Sequence, residues 1–247
     1  MDPLIFKVLG SGDAFGSGGK FNTSFLLKSK RANILVDCGF TALVAMKKYN
    51  VDPCDIDYII ITHFHGDHFG GLPSFLLESS KVLNRKRRLT IISPPGCKDR
   101  LLALIQILYP GAEDIFHDFP LHFVDFEPER FIETEDFNLE VFQVKHSEYS
   151  SPHAVRICID DKIFSYSGDT SWTDELPKVS VQSDLFICEC NFYQTSNEGH
   201  LNFMTLKKNI EKLKAKKIML THLSTEMIAN KASLNIPILE DGMEFEI

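Results

Sequence analysis

The sequence predicts an α/β fold in which two β-sheets are covered by helices. Short apolar runs typical of strands follow one another along the chain, and stretches with helical spacing of apolar residues lie between them. With 44% hydrophobic and 24% charged residues, the chain has the composition of a folded globular protein. A chain of 247 residues can bury roughly 70 to 75% of its unfolded surface in one large core. We therefore expect a single domain over residues 1–247.

Short strands dominate the first third of the chain. Strands are expected over residues 4–9, 23–27 and 33–36, and a glycine-rich turn over 10–19 separates the first two. A helix is expected over 41–49. The next strand, over 57–62, is a continuous apolar run of the kind that is buried on both faces, and it ends directly in polar residues.

Strands and helices alternate less regularly in the rest of the chain. Helical spacing is found over 72–83 and 99–108, and strand patterns over 89–92, 139–144, 155–159 and 163–166. A strand over 185–188 precedes an amphipathic stretch over 204–213, which is followed by a strand over 218–221 and a helix from about residue 225. Strands in runs with interspersed helices favour two covered sheets.

Charge, hydropathy and cysteine usage exclude several classes of protein. The 26 Lys and Arg against 34 Asp and Glu give a net charge of -8, without the basic surplus that long nucleic acids attract. No apolar run approaches the roughly 18 to 20 residues that span a bilayer, and the first residues do not resemble an export signal. The six cysteines form no C-x-x-C pair, which suits free thiols in the cytoplasm.

The most informative segment follows the strand over 57–62 and packs four potential metal ligands into six positions: His63, His65, Asp67 and His68. Imidazole nitrogen and carboxylate oxygen suit zinc and neighbouring transition metals. Alternate residues of an extended chain point the same way, so His63 and His65 can share one ion. The turn at Gly66 brings Asp67 and His68 round to a second ion. Because so dense a set has no packing role, we predict a metal site.

This H-x-H-x-D-H pattern after an apolar strand resembles the signature of the metallo-β-lactamase superfamily. The resemblance covers nearly the whole chain, since further matches fall in the family's order at Asp37, His146, Asp169 and His222. It implies an α/β fold of the αβ/βα type, a four-layer sandwich of two mixed sheets. It also implies a ligand set in which His63, His65 and His146 hold one ion, Asp67, His68 and His222 hold the other, and Asp169 bridges them.

The implied chemistry is metal-dependent hydrolysis. Two divalent ions about 3.5 to 4 Å apart activate a water and stabilise the negative oxygens of the group that it attacks. We expect Zn²⁺, with Mn²⁺ or Fe²⁺ as the alternatives. Asp67 and Asp169 could also orient or deprotonate the water, but a metal-bound carboxylate is a weak base, so ligation is their safer assignment. Asp37 is expected to orient a ligand imidazole.

A closer resemblance is to the ribonuclease Z-like phosphodiesterases. The segments 8–14 and 22–24 resemble their first motif, and the segments 187–191 and 199–202 resemble their later Glu and Gly-His motifs. The resemblance implies that His200, oriented by Glu189, stands beside the leaving oxygen as a general acid. The sequence departs from ribonuclease Z at Cys188, where His is usual, and at Leu201, where a small hydroxyl residue is usual.

A second departure concerns the substrate. Ribonuclease Z enzymes carry an inserted arm that clasps tRNA, whereas here only a short stretch separates the helix ending near residue 109 from the strand leading to His146. Armless proteins of this superfamily and size include cyclic nucleotide phosphodiesterases. We therefore predict hydrolysis of a small phosphodiester, such as a cyclic nucleotide, with long nucleic acid disfavoured and no membrane partner. The same comparison suggests a homodimer.

Side chains near these motifs are candidates for substrate contacts. Four aromatic residues flank or follow the site motifs: Phe64, Phe69, Trp172 and Tyr193. One or two of them can stack on a base, although core packing is the commoner role of such residues. The basic run 85–88 could touch phosphates, but the favoured interpretation is a solvated helix end. Three further histidines lack ligand spacing and stay outside the predicted site: His117, His122 and His153.

Three other functions are compatible with the sequence. The first is RNA processing by a ribonuclease Z-like endonuclease. The second is a thioester or lactone hydrolase, which the metal motif permits but the Glu189 and His200 pair disfavours. The third is a non-catalytic nucleotide-binding module, although such modules commonly lose ligands and all seven are present here.

Overall fold

The strands of the protein follow the order that the sequence predicts. The computed structural model describes residues 3–126 and 131–247. In these ranges the strands are β1 (Ile5–Gly10), β2 (Ser24–Lys28), β3 (Asn33–Val36), β4 (Tyr58–Ile60), β5 (Leu89–Ser93), β6 (Leu121–Asp125), β7 (Phe131–Glu133), β8 (Asn138–Gln143), β9 (His153–Ile159), β10 (Lys162–Tyr166), β11 (Leu185–Glu189), β12 (Ile218–Thr221) and β13 (Glu244–Glu246).

The helices are short and lie between these strands. In the same ranges they are α1 (Ala42–Lys48), α2 (Gly66–Phe69), α3 (Leu72–Leu77), α4 (Cys97–Leu108), α5 (Glu175–Ser180), α6 (Phe203–Asn209) and α7 (Thr225–Ala229). The side chains of Asn202 and Ser224 cap α6 and α7 by accepting hydrogen bonds from backbone N–H groups of the first turn. No helix in the described part of the chain combines the length and hydropathy needed to cross a membrane.

The strands form two mixed sheets. The first sheet has the order β13-β1-β2-β3-β4-β5-β6, in which β3 to β6 are parallel. The second has the order β12-β11-β10-β9-β8-β7, in which β10, β11 and β12 are parallel and the others pair antiparallel. The predicted α/β class with two helix-covered sheets is confirmed.

Three apolar clusters show that the layers run helix, sheet, sheet, helix. Phe6, Phe25 and Phe164 pack together in the cluster between the two sheets, with ring centroids 5.3 to 6.3 Å apart. A second cluster joins the outer face of the first sheet to α1, α3 and α4. A third joins the outer face of the second sheet to α5, α6 and α7. Burial on both faces explains why the central strands are continuous apolar runs.

Every strand and helix predicted from the sequence is present, and the additional strands lie at sheet edges. The sequence did not indicate β6, β7 or β13, each of which is the outermost strand of its sheet. Their side chains are mostly exposed or half-buried, so they lack a run or alternation of apolar residues. The short helices α2 and α5 were also missed.

The interpretation of the basic run 85–88 as a solvated helix end is only partly right, since Lys86, Arg87 and Arg88 are exposed but Arg85 is not. The run lies in a loop, and Arg85 is buried. Its guanidinium donates to the backbone carbonyls of Pro53, Ile56 and Arg88 at 3.0, 2.6 and 2.8 Å. A buried charge is retained where its donors are satisfied, so Arg85 connects two loops and is not available to phosphates.

Candidate metal centre

The predicted ligands come from strand ends of both sheets. His63, His65, Asp67 and His68 follow β4 in the first sheet, whereas His146, Asp169 and His222 follow β8, β10 and β12 in the second. Because β8 and β10 run in the same direction and β10, β11 and β12 are parallel, these carboxyl ends meet at one edge of the sandwich. The structure brings all seven predicted ligands together there.

Three imidazoles form the first group of potential ligands. We call this group half-site A. Each of its members contributes one ring nitrogen, and these nitrogens lie within 4.8 Å of one another: His63, His65 and His146. Nδ1 of His65 and Nε2 of His146 are 3.0 Å apart. His63 is fully buried, while the other two are partly exposed. Three nitrogen donors facing one point are the set that a catalytic zinc site commonly uses.

The second group contains two imidazoles and two carboxylates. Half-site B consists of Asp67, His68, Asp169 and His222, all of them buried. Oδ2 of Asp67 lies 3.1 Å from Nε2 of His68 and 3.3 Å from Nε2 of His222. Such a compact set of N and O donors matches the ligand preferences of a divalent transition metal.

Asp169 lies between the two half-sites. Its Oδ2 is 3.3 Å from Nε2 of both His68 and His222 in half-site B. The same oxygen is 3.8 and 3.9 Å from Nε2 of His63 and His146 in half-site A. One carboxylate therefore faces both groups, which is the position required of a bridging ligand.

Buried polar atoms without partners show that the residues fit metal ions. Nε2 of His63, Nε2 of His68 and Oδ1 of Asp169 are buried and make no hydrogen bond. A buried polar group without a partner is costly, and few are found in folded proteins. The two imidazole nitrogens lie 3.1 to 3.8 Å from ligand carboxylate oxygens, so they face the cluster, and coordination of a cation would satisfy them.

Neighbouring groups orient the ligand rings. The buried carboxylate of Asp37 accepts from Thr62 N–H and Oγ1–H at 2.8 and 2.9 Å, and its Oδ2 lies 2.7 Å from Nδ1 of His68. Nδ1 of His146 donates to the carbonyl of Gly199 at 2.6 Å. In both rings this leaves Nε2 for the metal, as is usual for ligand histidines. The carbonyl of Gly199 was missed from the sequence, although the Gly-His motif containing it was noted.

The two half-sites differ in electrostatics. Burial lowers the pKa of His63 and His65, and it lowers the pKa of His146 to about 4, so these imidazoles are neutral near pH 7. Burial raises the pKa of Asp67, but the charge of His68 outweighs it and holds that pKa well below its usual range. Burial lowers the pKa of His68, but the negative charges of Asp169, Asp67 and Asp37 outweigh it and raise that pKa. A bound cation would replace the proton of His68 as the positive charge that balances these carboxylates.

A histidine and glutamate pair adjoins the cluster. Nδ1 of His200 lies 2.7 Å from Oε1 of the fully buried Glu189, whose carboxylate also accepts backbone N–H groups of Thr170, Asn191 and Leu201 at 2.9 to 3.3 Å. Burial opposes a charged imidazole, but Glu189 outweighs it and raises the pKa of His200 to about 9.

His200 is also close to the ligands themselves. One of its ring nitrogens lies within 4.8 Å of donor atoms of His146 and Asp169, and its ring packs 4.7 Å from that of His146. Because Glu189 holds Nδ1, Nε2 is the nitrogen left to interact with a molecule bound at the cluster.

The predicted aromatic contacts are only partly available. Phe69 belongs to the core under the first sheet, so it cannot stack on a substrate. Tyr193 stacks on Phe203 at 5.7 Å, and Trp172 is half-buried against the third cluster. Phe64 is half-buried with the guanidinium of Arg100 4.7 Å from its ring centroid. Phe64 stands between His63 and His65 in sequence, and alternation of the chain turns its side chain away from them toward the second cluster.

Comparison with known proteins identifies the family. Residues 4–239 match a family model described as "Anti-Pycsar protein Apyc1". The chain belongs to the Apyc1 family. This family degrades cyclic nucleotides. The matched range includes every ligand of both half-sites and the pair formed by Glu189 and His200.

Two bacterial relatives of this Apyc1-family chain are named Ribonuclease Z. The one from Agathobacter rectalis is 31% identical over 150 residues, which cover 61% of this chain and 48% of the relative. The one from Alkaliphilus oremlandii is 27% identical over 282 aligned residues, which cover 90% of this chain and 89% of the relative. The chain therefore spans about half the length of the first relative and most of the second.

A solved structure confirms the fold predicted for this Apyc1-family chain. The crystal structure of the metallo-β-lactamase fold protein YhfI from Bacillus subtilis superposes with a TM-score of 0.79, at 22% identity and with 100% of each chain covered. The predicted metallo-β-lactamase fold is thus confirmed. The protein is a metallo-hydrolase of the metallo-β-lactamase fold.

Proposed function

We propose that this protein is a phosphodiesterase that uses two divalent metal ions to hydrolyse a cyclic nucleotide. The observation that carries the proposal is the position of His200 beside two adjoining half-sites that share Asp169. Paired metal sites recur in enzymes that attack phosphate esters, where two charges are needed on one phosphate. Membership of the Apyc1 family supports a cyclic nucleotide as the substrate.

The roles of the ligands follow from their grouping. His63, His65 and His146 would hold one ion, Asp67, His68 and His222 would hold the other, and Asp169 would contact both. When bound, the ions would supply a nucleophile from water and neutralise negative charge on the phosphate oxygens. Zn²⁺ is our proposal for these nitrogen-rich sites, with Mn²⁺ and Fe²⁺ as alternatives. Asp67 would also orient the attacking water through its second oxygen.

His200 is proposed to protonate the leaving oxygen. Glu189 accepts a hydrogen bond from Nδ1–H, fixes the orientation of the ring and stabilises its charged form, so that Nε2 can deliver a proton toward the cluster. A ribose oxygen is a poor leaving group as an alkoxide, so a proton at this position accelerates cleavage. Once His200 is neutral, its Nε2 can recover a proton from solvent, because the ring is partly exposed.

A small substrate is supported by charge and by chain length. The net charge of -8 repels a polyanion at long range. The described residues between α4 and β8 form only a short 3-10 helix and the strands β6 and β7, so they leave little room for an arm that would clasp tRNA. Residues 127–130 of this stretch lie outside the described ranges. A cyclic nucleotide carries a single phosphodiester, which the two half-sites can neutralise without further basic residues.

The second candidate is RNA processing, because the relatives described above are named Ribonuclease Z. A single panel of substrates separates it from the proposed function. Cyclic mononucleotides, bis-p-nitrophenyl phosphate, a pre-tRNA with a 3′ extension and a thioester would be compared at equal enzyme concentration. We expect kcat/KM for a cyclic nucleotide to exceed that for pre-tRNA. Position-specific cleavage of pre-tRNA with intact cyclic nucleotides would favour the second candidate.

Three further proposals concern the state of the protein. Both sheets contribute to one centre, which supports a single hydrolase domain over residues 1–247. The six cysteines are unpaired, which supports the cytoplasm as its compartment. Phe40 and Val44 expose more than half of their surface at the start of α1, which supports a homodimer through this helix. Light scattering after size-exclusion chromatography, repeated on Val44→Glu, would test the homodimer.

A further inference from the structure

We propose that a cavity beside His146 is a nucleobase subsite in which Gln143 and His153 read the edge of the base. The proposal rests on the proposed phosphodiesterase function, because it assigns the part of a nucleotide that the metal centre does not hold. It also gives a role to His153, which the ligand spacing left unassigned.

The cavity has the size and position of a ligand site. Its volume is about 500 Å³, within the range of small-molecule pockets. Prominent among its lining residues are Phe126, Gln143, Lys145, His146, Glu148 and His153. His146 belongs to half-site A, so a phosphate held at the metal centre would place its nucleoside next to this cavity.

Gln143 and His153 lie side by side in the sheet. They are directly opposite each other in the antiparallel pairing of β8 with β9, so their side chains project from the same face. Two residues further along this face, Val141 and Val155 pack in the core between the sheets. Gln143 and His153 therefore lie at the end of that core, in the cavity that His146 of the metal centre also lines.

The hydrogen bonding of His153 leaves one acceptor free. Its Nδ1 donates to the carbonyl of Ser151 at 2.9 Å, which makes Nε2 the acceptor of a neutral ring. In residues 3–126 and 131–247, no protein group hydrogen-bonds that Nε2. The ring of Phe126 packs edge-on at a centroid distance of 5.2 Å and supplies an apolar wall.

A nucleobase matches these features better than a second phosphate does. Each base is a flat ring with at least one N–H donor on its edge, which the free Nε2 of His153 can accept. The amide of Gln143 both donates and accepts, so it can pair with either kind of neighbouring group. Lys145 and Glu148 are exposed at the rim with opposite charges, and they provide no net attraction for an additional anion.

Two variants test the subsite, with matched controls elsewhere. His153→Phe and Gln143→Leu would be assayed on 3′,5′-cyclic AMP and on bis-p-nitrophenyl phosphate, whose rings carry no N–H donor. We expect each variant to raise KM for cyclic AMP by roughly five- to tenfold, the effect of one lost hydrogen bond, with kcat little changed. Kinetics on bis-p-nitrophenyl phosphate should be unaffected. His122→Phe and Gln106→Leu, at exposed positions on β6 and α4, should match the wild type on both substrates.

The outcomes distinguish the subsite from the proposed function. If the wild type hydrolyses cyclic AMP and both variants keep its KM, the subsite is wrong and the phosphodiesterase stands. If the wild type cleaves bis-p-nitrophenyl phosphate but no cyclic nucleotide, the proposed function fails and the subsite fails with it. Gln143 is exposed, so Gln143→Leu decides the matter even where His153→Phe disturbs the start of β9.

Discussion

The two half-sites share Asp169 and differ in almost every other respect. Half-site B is fully buried and contains two carboxylates, whereas half-site A has three imidazoles, two of them partly exposed. Asp37 supports the His68 ring of half-site B from within the core, whereas in half-site A the His146 ring is supported by the carbonyl of Gly199 in a surface loop and the His63 ring by the buried hydroxyl of Thr62. We expect this difference to separate a half-site that retains its ion from one that faces the substrate.

This contrast predicts unequal affinities. Carboxylates bring negative charge to half-site B, and burial strengthens their attraction for a cation by excluding water. Half-site A provides neutral donors beside His200 and the cavity lined by His146. We therefore expect the ion of half-site B to bind more tightly, and the ion of half-site A to exchange and to contact the substrate.

The largest effect is expected from removing the residue that the half-sites share. Asp169→Ala should lose both ions, and because each ion contributes several kcal/mol to the transition state, activity should fall by at least about 10⁴-fold. Elemental analysis of the purified variant measures the metal directly. Retention of two ions per chain would show that Asp169 does not bridge the half-sites.

The next largest effect tests chemistry without changing either half-site. His200→Ala should keep both ions and lose roughly 100- to 10,000-fold in rate on a cyclic nucleotide, the usual contribution of a general acid. The loss should be much smaller on bis-p-nitrophenyl phosphate, since p-nitrophenolate leaves without a proton. An equal loss on both substrates would indicate that His200 positions the substrate and does not protonate it. His122→Ala, at an exposed position, is the control.

A smaller effect should fall mainly on half-site B, because Asp37 contacts His68 directly and reaches His63 of half-site A only through the hydroxyl of Thr62. Asp37→Asn keeps the size of the side chain but removes the charge that orients His68, so metal affinity there should fall by roughly 10- to 100-fold. Competition with a chromogenic chelator would resolve the two ions of each protein. Equal weakening of both ions would mean that the half-sites are not independent. Asp174→Asn, an exposed aspartate before α5, serves as the control.

The smallest effect concerns stability. Zn²⁺ at about 100 times its Kd should stabilise the fold by roughly 2.7 kcal/mol, which corresponds to a Tm increase of roughly 5 to 10 °C for a chain of this size. His65→Ala removes a ligand of half-site A only, so it should keep most of this increase while losing one ion. Differential scanning calorimetry of the metal-free and metal-loaded proteins makes the comparison. A variant that gained nothing from Zn²⁺ would contradict the stronger role of half-site B.

Much of the centre could be predicted because its ligands are dense in sequence. The motif from His63 to His68 follows a buried strand and has no packing function, so residue type alone indicated a metal. His146, Asp169 and His222 are isolated, and only the resemblance to the superfamily connected them to the motif. Their shared edge depends on strand order in two sheets, which no local pattern specifies.

The remaining differences have physical causes. The edge strands β6, β7 and β13 are held by backbone pairing to one neighbour, so their side chains carry little apolar signal. Arg85 resembled a solvated cation because its partners, the carbonyls of Pro53 and Ile56, are backbone groups common to every residue. The cavity beside His146 could not be predicted for a different reason. The cross-strand register of β8 and β9 brings Gln143 and His153 together, and no local sequence pattern specifies that register.

The origin of the ligands in both sheets has a consequence for biosynthesis. Asp67 and His222 are 155 positions apart, so half-site B cannot exist until most of the chain has left the ribosome and the second sheet has packed on the first. Early segments present only the motif from His63 to His68, a weak and incomplete chelator. We therefore expect tight metal uptake at half-site B only at the end of folding, and a chain truncated before β12 would lack His222 and be inactive.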